Sequence, residues 1–262
     1  MEIDLFSFAA PVNQPRGTVL LAHGFGEHRG RYARFTEALN NAGYDAWSFD
    51  FTGHGNSPGK RARIDVASLI SEHLHARKQL LDVARTENIY LFGHSMGGLV
   101  TIASTLLNPH YATAVAVTGP GLRPLPATSV RVAKAGAALA RLIPSMDSVE
   151  IDLSTLSRDP QVIADYEADP LVHHGKVPLL TGSTMVIQGD HVIRNAPMLA
   201  RPLLILHGEA DGLCDIAGSK KFTERTGGVA ELVTLPDAYH ELLNEPEHEE
   251  VTRRILDWYG AW

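Results

Sequence analysis

The chain has 262 residues, 44% hydrophobic and 20% charged, with a formal net charge of −7. That length buries a full core in one large domain with an insertion, and the composition is that of an ordinary globular protein. The acidic balance excludes a large basic face for nucleic acid, and the single cysteine, Cys214, excludes an intramolecular disulfide and fits a reducing compartment.

In chain order, short apolar runs alternate with longer helical patterns, which predicts an α/β fold with a mostly parallel sheet flanked by helices. Glu2–Phe8 is a first strand candidate before the turn region at Pro11 and Pro15. Thr18–Ala22 is a clearer strand and runs straight into His23-Gly24-Phe25-Gly26. A polar-faced helix follows around Arg31–Asn41, ended by Gly43. Asp45–Phe51 reads as a strand that stops in the Gly-rich loop Gly53–Gly59. Apolar positions from Val66 to Ala84 keep helical spacing, with Asp65 as the N-cap. The strand Ile89–Phe92 leads into Gly93-His94-Ser95-Met96-Gly97-Gly98 and then a helix ending near Asn108-Pro109; Ala114–Thr118 is a buried-type strand.

From Pro120 to about Arg201 the rhythm changes to proline, short helical patterns and polar turns. It returns with the strand Leu203–Leu206, a helix around Ala217–Arg225 and the strand Glu231–Leu235. The last helix is expected to begin at Pro246, with Glu247, Glu249 and Glu250 in its first turn and Val251, Ile255 and Trp258 on one face. The expected division is a core of residues 1–121 and 202–262 with a lid inserted at 122–201. Met1-Glu2-Ile3-Asp4 lacks the basic and apolar regions of a signal peptide, and no apolar run approaches the roughly 20 residues that span a bilayer. A cytoplasmic location is therefore expected; oligomeric state leaves no mark on the sequence.

Gly93-His94-Ser95-Met96-Gly97 is a G-x-S-x-G pattern between a strand and a helix, the context of a nucleophile elbow. Small residues on both sides of Ser95 let neighbouring backbone approach, and the helix N-terminus beyond it supplies N–H groups for an oxyanion. A serine hydroxyl needs a neutral imidazole to take its proton, and the imidazole needs a carboxylate to fix its tautomer. Among the histidines after Ser95, His240 alone lies in a loop past a late strand and before the last helix. His207 ends a strand and suits a structural role beneath the acid loop. Asp211, in His207-Gly208-Glu209-Ala210-Asp211, is the candidate acid, with Asp215 and Glu209 as close rivals. The oxyanion donors expected are the backbone N–H groups of Met96 and Phe25, and the Phe25 ring is free to line an acyl channel.

Other signals are weaker. Asp50 and His54 suit bracing of the loop after their strand. The pair His173-His174 has no further ligand at metal spacing, and neither Gly24-Phe25-Gly26 nor Gly53-His54-Gly55 completes a dinucleotide fingerprint, so no cofactor is expected. Val130–Ile143 interleaves Val132, Leu139 and Leu142 with Arg131, Lys134 and Arg141, a pattern that suits either a helix at a lipid surface or one packed on the core.

Together these segments resemble the monoacylglycerol lipase family of serine hydrolases, whose members are also called lysophospholipase-like or serine-aminopeptidase-like α/β-hydrolases. The resemblance rests on His23–His28 with Arg31-Tyr32, Asp50 with Gly53–Ser57, Gly93–Gly98, and His207–Asp211 with Cys214-Asp215. It extends to Leu156–Pro160 and Asp169–His173 in the expected lid. It implies an α/β-hydrolase fold and hydrolysis of a single-chain lipid ester of a small alcohol through an acyl-enzyme, without metal or organic cofactor. It also implies a lid able to touch membrane or micelle surfaces, and an alcohol pocket shaped by Glu27 and Arg31. Cys214 corresponds to a thiol near the active site in that family. The family histidine three residues past the catalytic one is Leu243 here, a departure that loosens the expectation of glycerol as the alcohol. The alternatives are a lysophospholipase or general carboxylesterase, or a proline-iminopeptidase-like amidase holding a substrate ammonium on Glu150, Asp152, Asp165, Glu167 or Asp169. Serine at position 95 excludes dehalogenase and epoxide-hydrolase chemistry, which uses aspartate there.

Overall fold

The computed structural model describes residues 3–262, so Glu2 of the first strand candidate lies outside the described residues. The strands β1 (Phe6–Phe8), β2 (Gly17–Ala22), β3 (Tyr44–Ser48), β4 (Ile89–His94), β5 (Ala114–Thr118), β6 (Leu203–Gly208) and β7 (Ala230–Leu235) form one sheet in the order β1-β3-β2-β4-β5-β6-β7. Every neighbouring pair is parallel except β1, which runs antiparallel on β3. The central strands are apolar at nearly every position because both faces of the sheet are covered. In β2, Leu20 and Ala22 pack into one core while Val19 and Leu21 pack into the other; Leu91 against Tyr90 and Phe92 in β4, and Ile205 against Leu204 and Leu206 in β6, repeat that alternation.

One face carries α2 (Val66–Val83), α3 (Met96–Leu107) and α7 (Ile216–Arg225), through residues such as Leu69, Leu99 and Phe222. The other carries α1 (Ala33–Asn41) and α8 (His248–Gly260), through Phe35, Leu39, Val251, Ile255 and Tyr259. Asp65 caps α2 by accepting from the Ala67 amide. In α8, Pro246 precedes the helix and Glu247 is the N-cap, so the helix starts later than its sequence suggests. Its buried row is Val251, Ile255 and Tyr259, four residues apart. Trp258 sits beside that row, half-buried, with Nε1 donating to the Val115 carbonyl at 3.0 Å.

Other elements differ from their expected bounds, and of the first strand candidate only Phe6–Phe8 joins the sheet. The strand expected over Asp45–Phe51 ends at Ser48. Beyond it the Phe51 amide donates to His23 Nε2 at 3.0 Å and the Ser57 hydroxyl to the Asp50 carbonyl at 2.6 Å, which turns the chain away from the ladder. The helix expected from Arg31 begins as a 3-10 turn, Arg29–Tyr32, capped by His28, and becomes α-helical at Ala33.

Between β5 and β6 lie α4 (Val130–Leu142), α5 (Pro160–Ala168) and α6 (Leu179–Asn195), which add no strand to the sheet. The face of α4 that packs inward is made of Ala133, Ala137 and Ala140. At Gly136 a Cβ would come within 2.6 Å of Ser183 Oγ on α6, so α4 and α6 approach as closely as small residues permit. The larger apolar residues are thereby turned outward, with Val132 62% and Leu142 81% exposed. Among the described residues, no helix is long and apolar enough to cross a membrane.

Candidate active site

The strand order reverses direction at β2, which lies between β3 and β4. Loops leaving the C-terminal ends of strands diverge at such a point and open a crevice. Phe25 follows β2, Ser95 follows β4, Asp211 follows β6 and His240 follows β7, all at that edge of the sheet.

Ser95 occupies the tight turn between β4 and α3 with φ 53° and ψ −118°, a left-handed-side conformation that costs a non-glycine residue about 1–3 kcal/mol. The turn closes only because its flanks are glycine. A Cβ on Gly97 would lie 2.2 Å from the Ala22 carbonyl oxygen, and one on Gly93 would lie 2.5 Å from that of Gly97. The Ser95 amide donates to the Thr118 carbonyl at 2.9 Å and its carbonyl accepts from the Gly121 amide at 2.8 Å, pinning the turn to the next strand. Among the described residues neither the Met96 nor the Phe25 amide has a protein acceptor, so both N–H groups are available to a ligand.

His240 Nδ1 donates to Asp211 Oδ2 at 2.7 Å. Because an ionised carboxylate only accepts, Nδ1 carries the proton and Nε2 keeps its lone pair. Asp211 is itself fixed: Oδ1 accepts from the Leu213 and Cys214 amides, each at 2.8 Å, and His207 Nε2 lies 3.3 Å from Oδ2. Burial pushes the Asp211 carboxyl up, but His240 and His207 outweigh it and hold it well below the usual carboxylate range. Burial pulls the His240 imidazole down while Asp211 pulls it up, and the balance is upward. Ser95 and His240 line one cavity, with no hydrogen bond between them in this structure. The rival acids are engaged elsewhere: Asp215 caps α7 and pairs with Arg123, and Glu209 accepts from the Thr234 hydroxyl.

That cavity measures about 540 Å³. Its walls are largely apolar, with Phe25, Leu125, Val132, Ile151, Met185 and Val186 among them, and Ser95, Cys214 and His240 lie along it. Glu27, Arg31, His94 and Glu241 form its polar part. Glu27 Oε1 accepts from the Gly24 amide at 2.5 Å and the Tyr32 hydroxyl at 2.6 Å, so this carboxylate also braces the turn that presents Phe25. Burial raises the Glu27 carboxyl, yet Arg31, His94 and His23 together hold it at about 2. Burial and the nearby His240 push His94 down to about 4. Burial and Asp211 push the Cys214 thiol well above its usual range.

Asp50 accepts from the Arg29 and Asn56 amides and pairs with Arg29, and His54 Nδ1 lies 3.2 Å from the Thr52 carbonyl; both brace the loop after β3. Leu243 packs against the α1–α8 core instead of lining the cavity. Sequence reasoning missed Glu241 and Tyr166. Glu241 could have been suspected as a charge adjoining His240, whereas Tyr166 lies on α5 with no local pattern tying it to the site.

The serine aminopeptidase S33 family matches residues 13–247. A monoacylglycerol lipase from Mycolicibacterium smegmatis is 34% identical, with 95% of this chain and 89% of that protein covered. Human monoglyceride lipase is 29% identical, covering 96% of this chain and 84% of its own. The crystal structure of Paleococcus ferrophilus monoacylglycerol lipase superimposes with a TM-score of 0.88 at 32% identity, over 100% of this chain and 99% of that one. The chain therefore belongs to the serine aminopeptidase S33 family of serine hydrolases with the α/β-hydrolase fold, and monoacylglycerol lipases are among its relatives.

Proposed function

We propose that the protein hydrolyses monoacylglycerols or similar single-chain monoesters, with Ser95 as nucleophile, His240 as general base and Asp211 as the orienting acid. The observation that carries this reading is the Asp211–His240 contact of 2.7 Å on the wall of the cavity that Ser95 also lines. His240 Nε2 takes the Ser95 proton as Oγ attacks the ester carbonyl, and the oxyanion is met by the Phe25 and Met96 amides. The alcohol leaves with the proton from His240, and water then repeats the sequence on the acyl-enzyme.

The cavity supports one chain in preference to two. A volume of about 540 Å³ lies in the range of pockets that enclose a single small-molecule ligand, which favours one chain over two. The apolar walls suit the acyl chain, and Glu27 and Arg31 suit the hydroxyls of the alcohol. Residues 122–201 act in this reading as the lid. The outward Leu139, Leu142 and Ile143 of the α4 region, beside Arg131 and Arg141, suit transient contact with a membrane or micelle surface by a protein otherwise in the cytoplasm. A second reading, an aminopeptidase, draws on Glu150 and Asp152 in the cavity wall, which could hold a substrate ammonium. A panel of monoacylglycerols and matched amides, assayed with the wild type and Ser95→Ala, separates the two. Ester turnover lost in the folded Ser95→Ala variant is the expected result; amide turnover exceeding ester turnover would favour the second reading.

A further inference from the structure

The polar part of the cavity carries more negative than positive charge. Arg31 is the one lysine or arginine among the described residues that line the cavity, against the buried carboxylates of Glu27 and Glu241, while Glu150 and Asp152 stand exposed on its wall. Three of its five N–H donors are taken by Glu27 and Glu241. NH1 donates to Glu27 Oε2 at 2.8 Å and to Glu241 Oε1 at 2.6 Å, while NH2 donates to Glu241 Oε2 at 2.9 Å. The guanidinium also lies 4.8 Å from the Tyr166 ring centroid, which covers part of its face. One cation held between two buried carboxylates leaves this group with a net charge of minus one.

We propose that Glu241 is a specificity-determining residue: by occupying the fork of Arg31, it makes the cavity reject single-chain esters of an anionic alcohol and admit uncharged or cationic ones. The inference rests on the ester-hydrolase reading above. Phosphate recognition calls for an unoccupied guanidinium fork or ammonium. A phosphate-bearing alcohol competing for this guanidinium would have to weaken a buried carboxylate's ion pair with Arg31. It would also lie against two like charges, which opposes binding strongly where water is excluded. Asn244 Nδ2 donates to Glu241 Oε2 at 2.9 Å and so holds the carboxylate in place from the other side. On this basis lysophospholipids, whose phosphate adjoins the glycerol, are poor substrates.

The test measures kcat/KM of the wild type and Glu241→Gln on three dodecanoyl esters, of glycerol, glycerol phosphate and choline, below their aggregation thresholds. In the wild type the glycerol phosphate ester should be slower than the glycerol ester by at least about 100-fold, with the choline ester well accepted. Glu241→Gln removes one charge and should raise the phosphate-to-glycerol ratio about tenfold or more while lowering the choline-to-glycerol ratio. A wild-type phosphate-to-glycerol ratio within tenfold of unity overturns the proposal whether or not the variant folds, as does a ratio unmoved in a folded variant. Hydrolysis of none of the three esters by the wild type would instead defeat the ester-hydrolase reading, and this proposal with it.

Discussion

Replacing Asp211 by asparagine tests the geometry around His240 at a single pair of atoms. The amide keeps an oxygen for the Leu213 and Cys214 amides, so the acid loop retains its two 2.8 Å hydrogen bonds. What then faces His240 Nδ1 is an NH2 group, which favours the tautomer with its proton on Nε2, and that nitrogen can no longer accept from Ser95. The lost charge matters as well. A carboxylate about 4 Å from the imidazolium centre at an effective dielectric constant of about 20 is worth about 4 kcal/mol, near three decades in rate. The same exchange in the chymotrypsin-type triad costs about 10⁴. Both routes place the fall in kcat/KM between about 10³ and 10⁴. The pH profile should move too. Activity needs neutral His240, and Asp211 raises that group above its usual value of about 6.5, so the wild-type acid limb lies above it. With the carboxylate gone, burial remains the largest influence, opposed by Glu241 and Glu27, and the acid limb should move down. Steady-state hydrolysis of a soluble monoester across pH 5–9, with circular dichroism as the folding control, reads both effects. A folded variant within tenfold of wild type, with its acid limb unmoved, would refute the assignment of Asp211.

Other outcomes follow from neighbouring contacts. Asp215→Asn should keep activity within a few-fold and cost at most about 1 kcal/mol in urea unfolding, because Asp215 caps α7 and does not touch His240. Cys214 is 3% exposed with its thiol pushed up, so bulky maleimides should react slowly at neutral pH; the modified enzyme should be inactive, and Cys214→Ser active and resistant. Glu27 titrates at about 2 in the fold against 4.5 ordinarily, so as pH falls the unfolded chain takes up this proton first. The stability it contributes, about 3 kcal/mol, is full above pH 4.5 and is lost as pH falls through 2. Denaturation series at stepped pH should therefore show a shallower acid loss in Glu27→Gln, and equal slopes would count against the coupling.

The sheet was legible because each central strand announces itself as an apolar run ending in a glycine-bearing loop, as Thr18–Ala22 and Ile89–Phe92 do. Ser95, Asp211 and His240 could be picked out because each stands just past such a strand, a local property. What the sequence hid is tertiary. Arg31 and Glu241 are 210 positions apart and meet at 2.6 Å only when the loops after β2 and β7 converge. Strand β3 ends early because His23 and Ser57, from other segments, claim the backbone of residues 50 and 51. The orientation of α4 was ambiguous for a related reason. Its alanines form the packed face because α6 comes so close, a preference that a hydrophobicity pattern reads the other way round.

The most direct test of the proposed function is kcat/KM for matched mono- and diacylglycerols of one chain length, presented below and above their aggregation thresholds. A cavity of about 540 Å³ with largely apolar walls and Glu27, Arg31 and Glu241 in its lining predicts strong preference for the monoester under both conditions. Equal values for the two, where both are accessible to the enzyme, would contradict the single-chain account and leave a general lipase or esterase.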